Sequence, residues 1–226
     1  MAKPWKTLDR EDTPHGVLEL RKRDEHEFLI TIAGRVLMNS HANRSELTLA
    51  TCVREKLEGC AAPRLLLGGL GMGCTLLAAV EGLPDQASIE VSEITPIVAR
   101  WCAGPLAGIN HSALDDPRVR LKIEDVSRTI AKRADDRNEP RFDAIVLDLY
   151  EGPHANTNAK RDPFYGAIAL DATRRALAVG GLFAIWSEAP DVAFEKRVKT
   201  IGFELELIRS GKGGRRHTVY LAQRSR

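Results

Sequence analysis

No apolar run in the 226-residue chain is long enough to cross a bilayer. The opening residues, Met1-Ala2-Lys3-Pro4-Trp5, lack the apolar segment of a secretion signal, so a cytoplasmic location is expected. Cysteine is sparse: Cys52, Cys60, Cys74 and Cys102, with no Cys-x-x-Cys pair. Scattered thiols of this kind read as reduced core side chains rather than as a disulfide framework or zinc ligands. The six histidines are equally dispersed, which gives a metal site little support. A formal net charge of +2 is too small to demand a nucleic-acid partner. Repeats and low-complexity segments are missing too. What remains, 43% hydrophobic and 28% charged residues, fits one globular domain with an appendage.

The most informative stretch is Leu65-Leu66-Leu67-Gly68-Gly69-Leu70-Gly71-Met72-Gly73-Cys74-Thr75. A short apolar run meets closely spaced glycines and then a helical pattern. This predicts a buried strand, a tight turn and a helix start, where free N–H groups suit polar ligand groups and glycine permits close approach. Such a turn alone is a weak signal, and a purely structural use remains open as the lesser reading.

Upstream, residues 1–15 are polar and expected to be loosely held. Val17 to Met38 reads as two or three antiparallel strands, a sheet too small to stand alone. A helix is expected from Asn43 to Leu57, with Leu49, Ala50, Val53 and Leu57 on one stripe. Glu46 falls on that stripe, either as a salt-bridge partner or as an acid lining a pocket. The chain divides at residue 42 into a small β-sheet appendage (1–42) and a larger domain (43–226).

After Pro63, strands (near 64–69, 88–93, 118–124, 142–148 and 181–187) alternate with helices (near 72–82, 96–107, 126–135, 163–178 and 191–201). The alternation implies a doubly wound, mostly parallel sheet with helices on both faces, an α/β fold. Gly180-Gly181 reads as a helix stop before the fifth of these strands. Two final strands flank Ser210-Gly211-Lys212-Gly213-Gly214-Arg215, so the sheet should close with an antiparallel hairpin. Whether that loop closes over the site is left open.

In such sheets ligands bind beyond the carboxyl ends of the strands. Three acids stand there in order: Glu93, Asp125 and Asp148. The first suits two ribose hydroxyls. The second can take a hydrogen bond from an adenine amine. Each could instead cap a helix.

These residues carry a resemblance. From Arg64 onward the chain is similar to the class I S-adenosylmethionine-dependent methyltransferase fold, with a seven-stranded, Rossmann-like sheet. Within it the chain most resembles the spermidine synthase family. The segments concerned are Leu66-Leu67-Gly68-Gly69, Glu90-Val91-Ser92-Glu93-Ile94, Asp116-Pro117-Arg118-Val119, Phe142-Asp143-Ala144-Ile145-Val146-Leu147-Asp148, Asp162-Pro163-Phe164-Tyr165 and Ala176-Leu177-Ala178-Val179-Gly180-Gly181. The resemblance implies that Gly69, Gly71 and Gly73 line the cofactor's sulfonium and amino-acid part. It also implies that Glu93 holds the ribose and Asp125 the adenine amine. Asp148 would receive the substrate amine, with Glu151 as a second acid, and Tyr150 would stack, donate a hydrogen bond or simply pack. Glu46 would line the substrate side.

The departures bear on the reaction. The family carries an aspartate in the glycine loop that grips the amine of decarboxylated S-adenosylmethionine; Gly71 stands here. Asp148-Leu149-Tyr150-Glu151-Gly152-Pro153 replaces its Asp-Ser-Ser-Asp-Pro-like loop, Arg44-Ser45-Glu46 its Tyr-His-Glu, and Met38 its glutamine. An uncharged loop suits a donor that keeps its own carboxylate. The preferred expectation is therefore methyl transfer from S-adenosylmethionine to a small, basic substrate. The alternative is aminopropyl transfer from the decarboxylated cofactor to a polyamine. In either case a nucleophile is held in line with a carbon on the sulfonium, and a carboxylate takes its proton. A nicotinamide oxidoreductase fits less well, because Cys74 stands where Gly or Ala is needed. Lys196-Arg197-Val198-Lys199 and Lys212-Gly213-Gly214-Arg215-Arg216 read as solvated basic stretches more readily than as a nucleic-acid surface. A relative that binds the cofactor without catalysis, and a homodimer formed through the small sheet, are also compatible with the sequence. His41 and His154 could stand near the mouth of the pocket but read more readily as ordinary surface residues.

Overall fold

The computed structural model describes residues 3–41, 44–210 and 217–225. Two sheets organise them. The first is a four-stranded antiparallel meander of β1 (Lys6–Thr13), β2 (Gly16–Asp24), β3 (Glu27–Ile32) and β4 (Arg35–Asn39). The extra strand, β1, comprises residues expected to be loose. It is polar and exposed, so its side chains carry no burial pattern to read, yet it pairs with β2 from Lys6↔Lys22 to Thr13↔Gly16. It is also tied down from outside. Trp101 Nε1 donates to Asp9 Oδ2 at 2.9 Å, and Arg100 donates to Glu11 Oε2 at 3.0 Å.

The helix α1 (Arg44–Lys56) follows, and its stripe of Leu49, Ala50, Val53 and Leu57 is buried as the spacing predicts. Then the alternation begins: β5 (Arg64–Gly68), α2 (Cys74–Gly82), β6 (Ser88–Glu93), α3 (Pro96–Ala103), the short α4 (Ala107–Asn110), β7 (Val119–Ile123), α5 (Val126–Asp135), β8 (Phe142–Leu147), α6 (Ala167–Ala176), β9 (Leu177–Ser187), α7 (Val192–Thr200), β10 (Phe203–Ser210) and β11 (His217–Arg224). The seven strands lie in the order β10-β11-β9-β8-β5-β6-β7. Strand β11 is antiparallel to both its neighbours, and the pairs on the other side of β9 are parallel.

Strand periodicity sorts the core. Leu65, Leu67, Ile89, Val91, Ala144 and Val146 face one side, with α1, α2, α3 and the apolar face of the small sheet (Leu18, Leu20, Phe28, Ile30). Leu66, Ile145, Leu147, Phe183 and Ile185 face the other, with α5, α6 and α7. Strand β5 has apolar neighbours on both faces, which is why it reads as a continuous apolar run.

Gly180-Gly181 does not stop a helix. Helix α6 ends at Ala176, and β9 starts at Leu177 and runs through both glycines. Gly180 has φ of +79°, and the pairing with β8 jumps from Phe142↔Leu177 to Ala144↔Leu182. The glycines therefore make a bulge, a use that a sequence pattern does not separate from a helix cap. Asp116-Pro117-Arg118 is a structural clamp. Arg118 pairs with Asp116 at 2.8 Å and donates to the carbonyls of Val80 and Leu83 at the end of α2. No helix among the described residues is long and apolar enough to cross a membrane.

Candidate active site

The chain reverses its direction of travel across the sheet at β5, whose partners are β6 and β8. That reversal opens a crevice at the carboxyl ends of these strands. The glycine turn crosses it. Gly69, Gly71 and Gly73 have φ of +89°, +54° and +83°, values that L side chains rarely adopt. Gly69 is also packed tight: an added Cβ would lie 2.4 Å from the Asp148 carbonyl oxygen. Asp148 N–H donates to Gly68 O, and Gly69 N–H to Ser92 O, each at 2.9 Å, so the ends of β5, β6 and β8 are stitched together.

A buried floor supports the turn. The Asn110 side-chain amide donates to Cys102 O at 3.0 Å and to Met72 O at 3.4 Å. Cys102 Sγ donates to Gly71 O at 3.1 Å. Burial pushes the Cys102 thiol up to about 12, which keeps it a donor. All four cysteines are free. Above the turn lies Met38 from β4. A Cβ on Gly71 would sit 2.5 Å from Met38 Sδ, so the thioether occupies the space that a side chain at 71 would need.

The three ordered acids stand around this turn. Glu93 is 7% exposed, and its Oε2 accepts from Leu70 N–H at 2.9 Å while Oε1 accepts from Thr95 N–H at 2.8 Å. An ionised carboxylate has about four acceptor sites, so both oxygens keep capacity for hydroxyl donors. Asp125 is the N-cap of α5 and accepts from Ser127 N–H at 2.8 Å. The capping role is thus present, and its second oxygen is not used in that bond. Asp148 is half-buried at the end of β8, and its Oδ2 accepts from Thr75 Oγ1 at 2.5 Å. Desolvation, then the nearby charge of Glu46, pushes its carboxyl up to about 7, against the lowering effect of the Thr75 hydroxyl. The first turn of α2 holds no acid of its own, so Asp148 brings the negative charge to that positive helix end.

The loop after β8 carries the remaining candidates. Glu151 is exposed, with Oε2 3.1 Å from His154 Nε2. Tyr150 is 46% exposed, and the Arg35 guanidinium of β4 lies 6.0 Å from its ring centroid. Tyr165, fully buried, donates from its hydroxyl to Glu151 O at 3.0 Å, while Asp162 Oδ1 accepts from Phe164 and Tyr165 N–H. The Asp162-Pro163-Phe164-Tyr165 segment therefore props the loop that bears Glu151.

The structure gathers the glycines, Glu46 and Asp148 at one end of the sheet and sets Tyr150 and Glu151 on the loop above. It leaves His41 on the small sheet, paired with Glu27 Oε1 at 2.9 Å. Arg197 is engaged internally, with Tyr165 O and Asn158 Oδ1, which removes it from a nucleic-acid surface. The loop 211–216 lies outside the described residues. Thr75 and the Asn110–Cys102 floor went unread in the sequence. Thr75 was visible only as an ordinary first-turn residue two places after the last glycine.

No family model matches the chain. Over 136 residues it is 30% identical to polyamine aminopropyltransferase 1 of Pseudomonas aeruginosa, a stretch covering 60% of this chain and 44% of that protein. The match thus spans less than half the relative's length. The crystal structure of spermidine synthase from Thermotoga maritima superposes with a TM-score of 0.76 at 16% identity, covering 97% of this chain and 73% of that one. A spermidine synthase in complex with the transition-state analogue AdoDATO superposes with a TM-score of 0.75 at 15% identity, covering 97% and 73%. The chain has the spermidine synthase-like fold across nearly its whole length, and over 60% of that length it is related in sequence to a polyamine aminopropyltransferase.

Proposed function

We propose that the chain transfers an aminopropyl group from decarboxylated S-adenosylmethionine to a small amine of the polyamine class. The observation that carries this reading is the Asp148 carboxyl held at the first turn of α2, beside the glycine turn and near Glu46. The donor is a cation with an ammonium tail and no carboxylate. A glycine turn at a positive helix end repels such a tail unless acids stand beside it, and Asp148 and Glu46 are those acids. Glu93 would take the ribose hydroxyls and Asp125 the adenine amine, with Gly69, Gly71 and Gly73 against the sulfonium side.

In the reaction the acceptor's amine nitrogen attacks the carbon on the sulfonium. The new C–N bond forms as the C–S bond breaks, and the sulfur keeps the electron pair as a neutral thioether. The nitrogen then carries one proton too many, and Asp148 takes it. A base whose pKa lies near neutrality suits that task. Glu151 and Tyr150 would hold the far end of the acceptor. Acids around the crevice raise the local concentration of a basic substrate.

Calorimetry with the intact and the decarboxylated donor tests the reading, followed by mass spectrometry of the products with putrescine as acceptor. Tighter binding of the decarboxylated donor and an acceptor heavier by one aminopropyl group are expected. An acceptor heavier by one methyl group would overturn it.

A further inference from the structure

We propose that Thr75 is a positioning residue for Asp148: its hydroxyl fixes one carboxylate oxygen and turns the other toward the amine. This rests on the aminopropyl reading for its consequence in turnover, but not for the contact itself. The side chain is 5% exposed on the first turn of α2, and its bond to Asp148 Oδ2 joins that helix to the end of β8 across the crevice floor. A threonine hydroxyl has one proton to give, and donating it to Asp148 leaves that oxygen with less capacity for an incoming amine. The backbone on both sides is held, by the glycine turn before Thr75 and by the Asp148 N–H bond to Gly68 O. Neither partner can drift without breaking the stitched strand ends.

The contact also sets how readily Asp148 ionises. Burial and the charge of Glu46 from α1 favour its neutral form. The Tyr165 hydroxyl, from the segment before α6, is itself influenced by Asp148 but is uncharged at working pH. The Thr75 hydroxyl opposes burial and Glu46 by stabilising the carboxylate. Without it, Asp148 should hold its proton to higher pH and serve less well as the acceptor of the amine's proton.

The test compares wild type, Thr75→Val and Thr75→Ser. In the ligand-free protein, carbon-13 NMR of labelled aspartate carboxyls follows the Asp148 titration directly. The Val variant is expected to titrate about one pH unit higher, the scale of one charge-assisted hydrogen bond lost, with Ser close to wild type. In turnover, the acid limb of kcat should move by the same amount and kcat fall about fivefold at pH 7. An unmoved Asp148 titration in the Val variant overturns the proposal, as does a Ser variant as impaired as Val. Should wild type show no aminopropyl transfer, that reading fails alone, and the NMR titration still decides the role of Thr75.

Discussion

Replacing Asp148 by Asn should make the protein sturdier and slow the proposed transfer. In the folded chain the Asp148 carboxyl titrates at about 7, against an ordinary value of 3.8 in the unfolded chain. The folded state therefore binds a proton that the unfolded state has released across that window, and stability falls as pH rises through it. Below about pH 4 both states are protonated and the difference vanishes. Above about pH 7 it is complete, and at about 1.36 kcal/mol for each unit of separation it amounts to about 4 kcal/mol at most. Asn keeps an acceptor for the Thr75 hydroxyl and carries no charge beside Glu46, so the variant should recover about 2–4 kcal/mol at pH 8 and almost nothing at pH 4. Asp116 and Glu124 are held below the usual carboxylate range, by Arg118 and by Lys132 respectively, and weaken the fold as pH falls. They are distant in role from the substitution and cancel between the two proteins. Urea unfolding of both at a series of pH values reads the difference. Loss of the base should meanwhile lower kcat by about 10²–10⁴. A stability gap that stays flat with pH, or an Asn variant weaker than wild type at pH 8, would refute the reasoning.

Three further outcomes are expected. Asp125→Ala removes the N-cap of α5 and should cost about 1 kcal/mol in urea unfolding, together with a measurable weakening of nucleoside-donor binding by calorimetry. Gly71→Ala should destabilise by about 1–3 kcal/mol; in a double-mutant cycle with Met38→Ala the packing part of that cost should disappear, leaving the backbone part that comes from the positive φ. Asp9→Ala strips the Trp101 indole N–H of its acceptor and should cost about 1 kcal/mol, with a shift in tryptophan fluorescence as β1 loosens.

The fold was legible where burial writes a period into the sequence. The strands β5 to β8 are apolar on one or both faces, the helices between them carry stripes, and their bounds fall within a few residues of the observed ones. The polar edge strand β1 has no such signature; it is held by pairing to β2 and by Trp101, a residue 92 positions away from Asp9. The bulge at Gly180 escaped for a related reason, since a glycine pair after a helical stripe fits a cap and a strand kink alike. For the site, the acids at strand ends and the three glycines could be picked out because topology alone brings them together. What holds them could not. Thr75, Asn110 and Cys102 act through contacts between elements, and their side chains have no chemistry that marks them apart from ordinary core residues. The neutral glycine loop, read alone, pointed toward a donor with its own carboxylate. The proposed reading sets that missing charge against the acids Asp148 and Glu46 at the start of α2.

Met38 and Gly71 constrain how this loop can change over evolutionary time. A side chain at 71 must push the Met38 thioether aside, which the flexible end of that side chain allows, and it must also adopt the positive φ of the turn. A lineage moving between this neutral loop and an acidic one therefore meets two constraints at 71, and a change at 38 relieves only the first. The backbone strain persists in either order, so the conformation of the turn itself, more than the packing above it, governs which residues position 71 can accept.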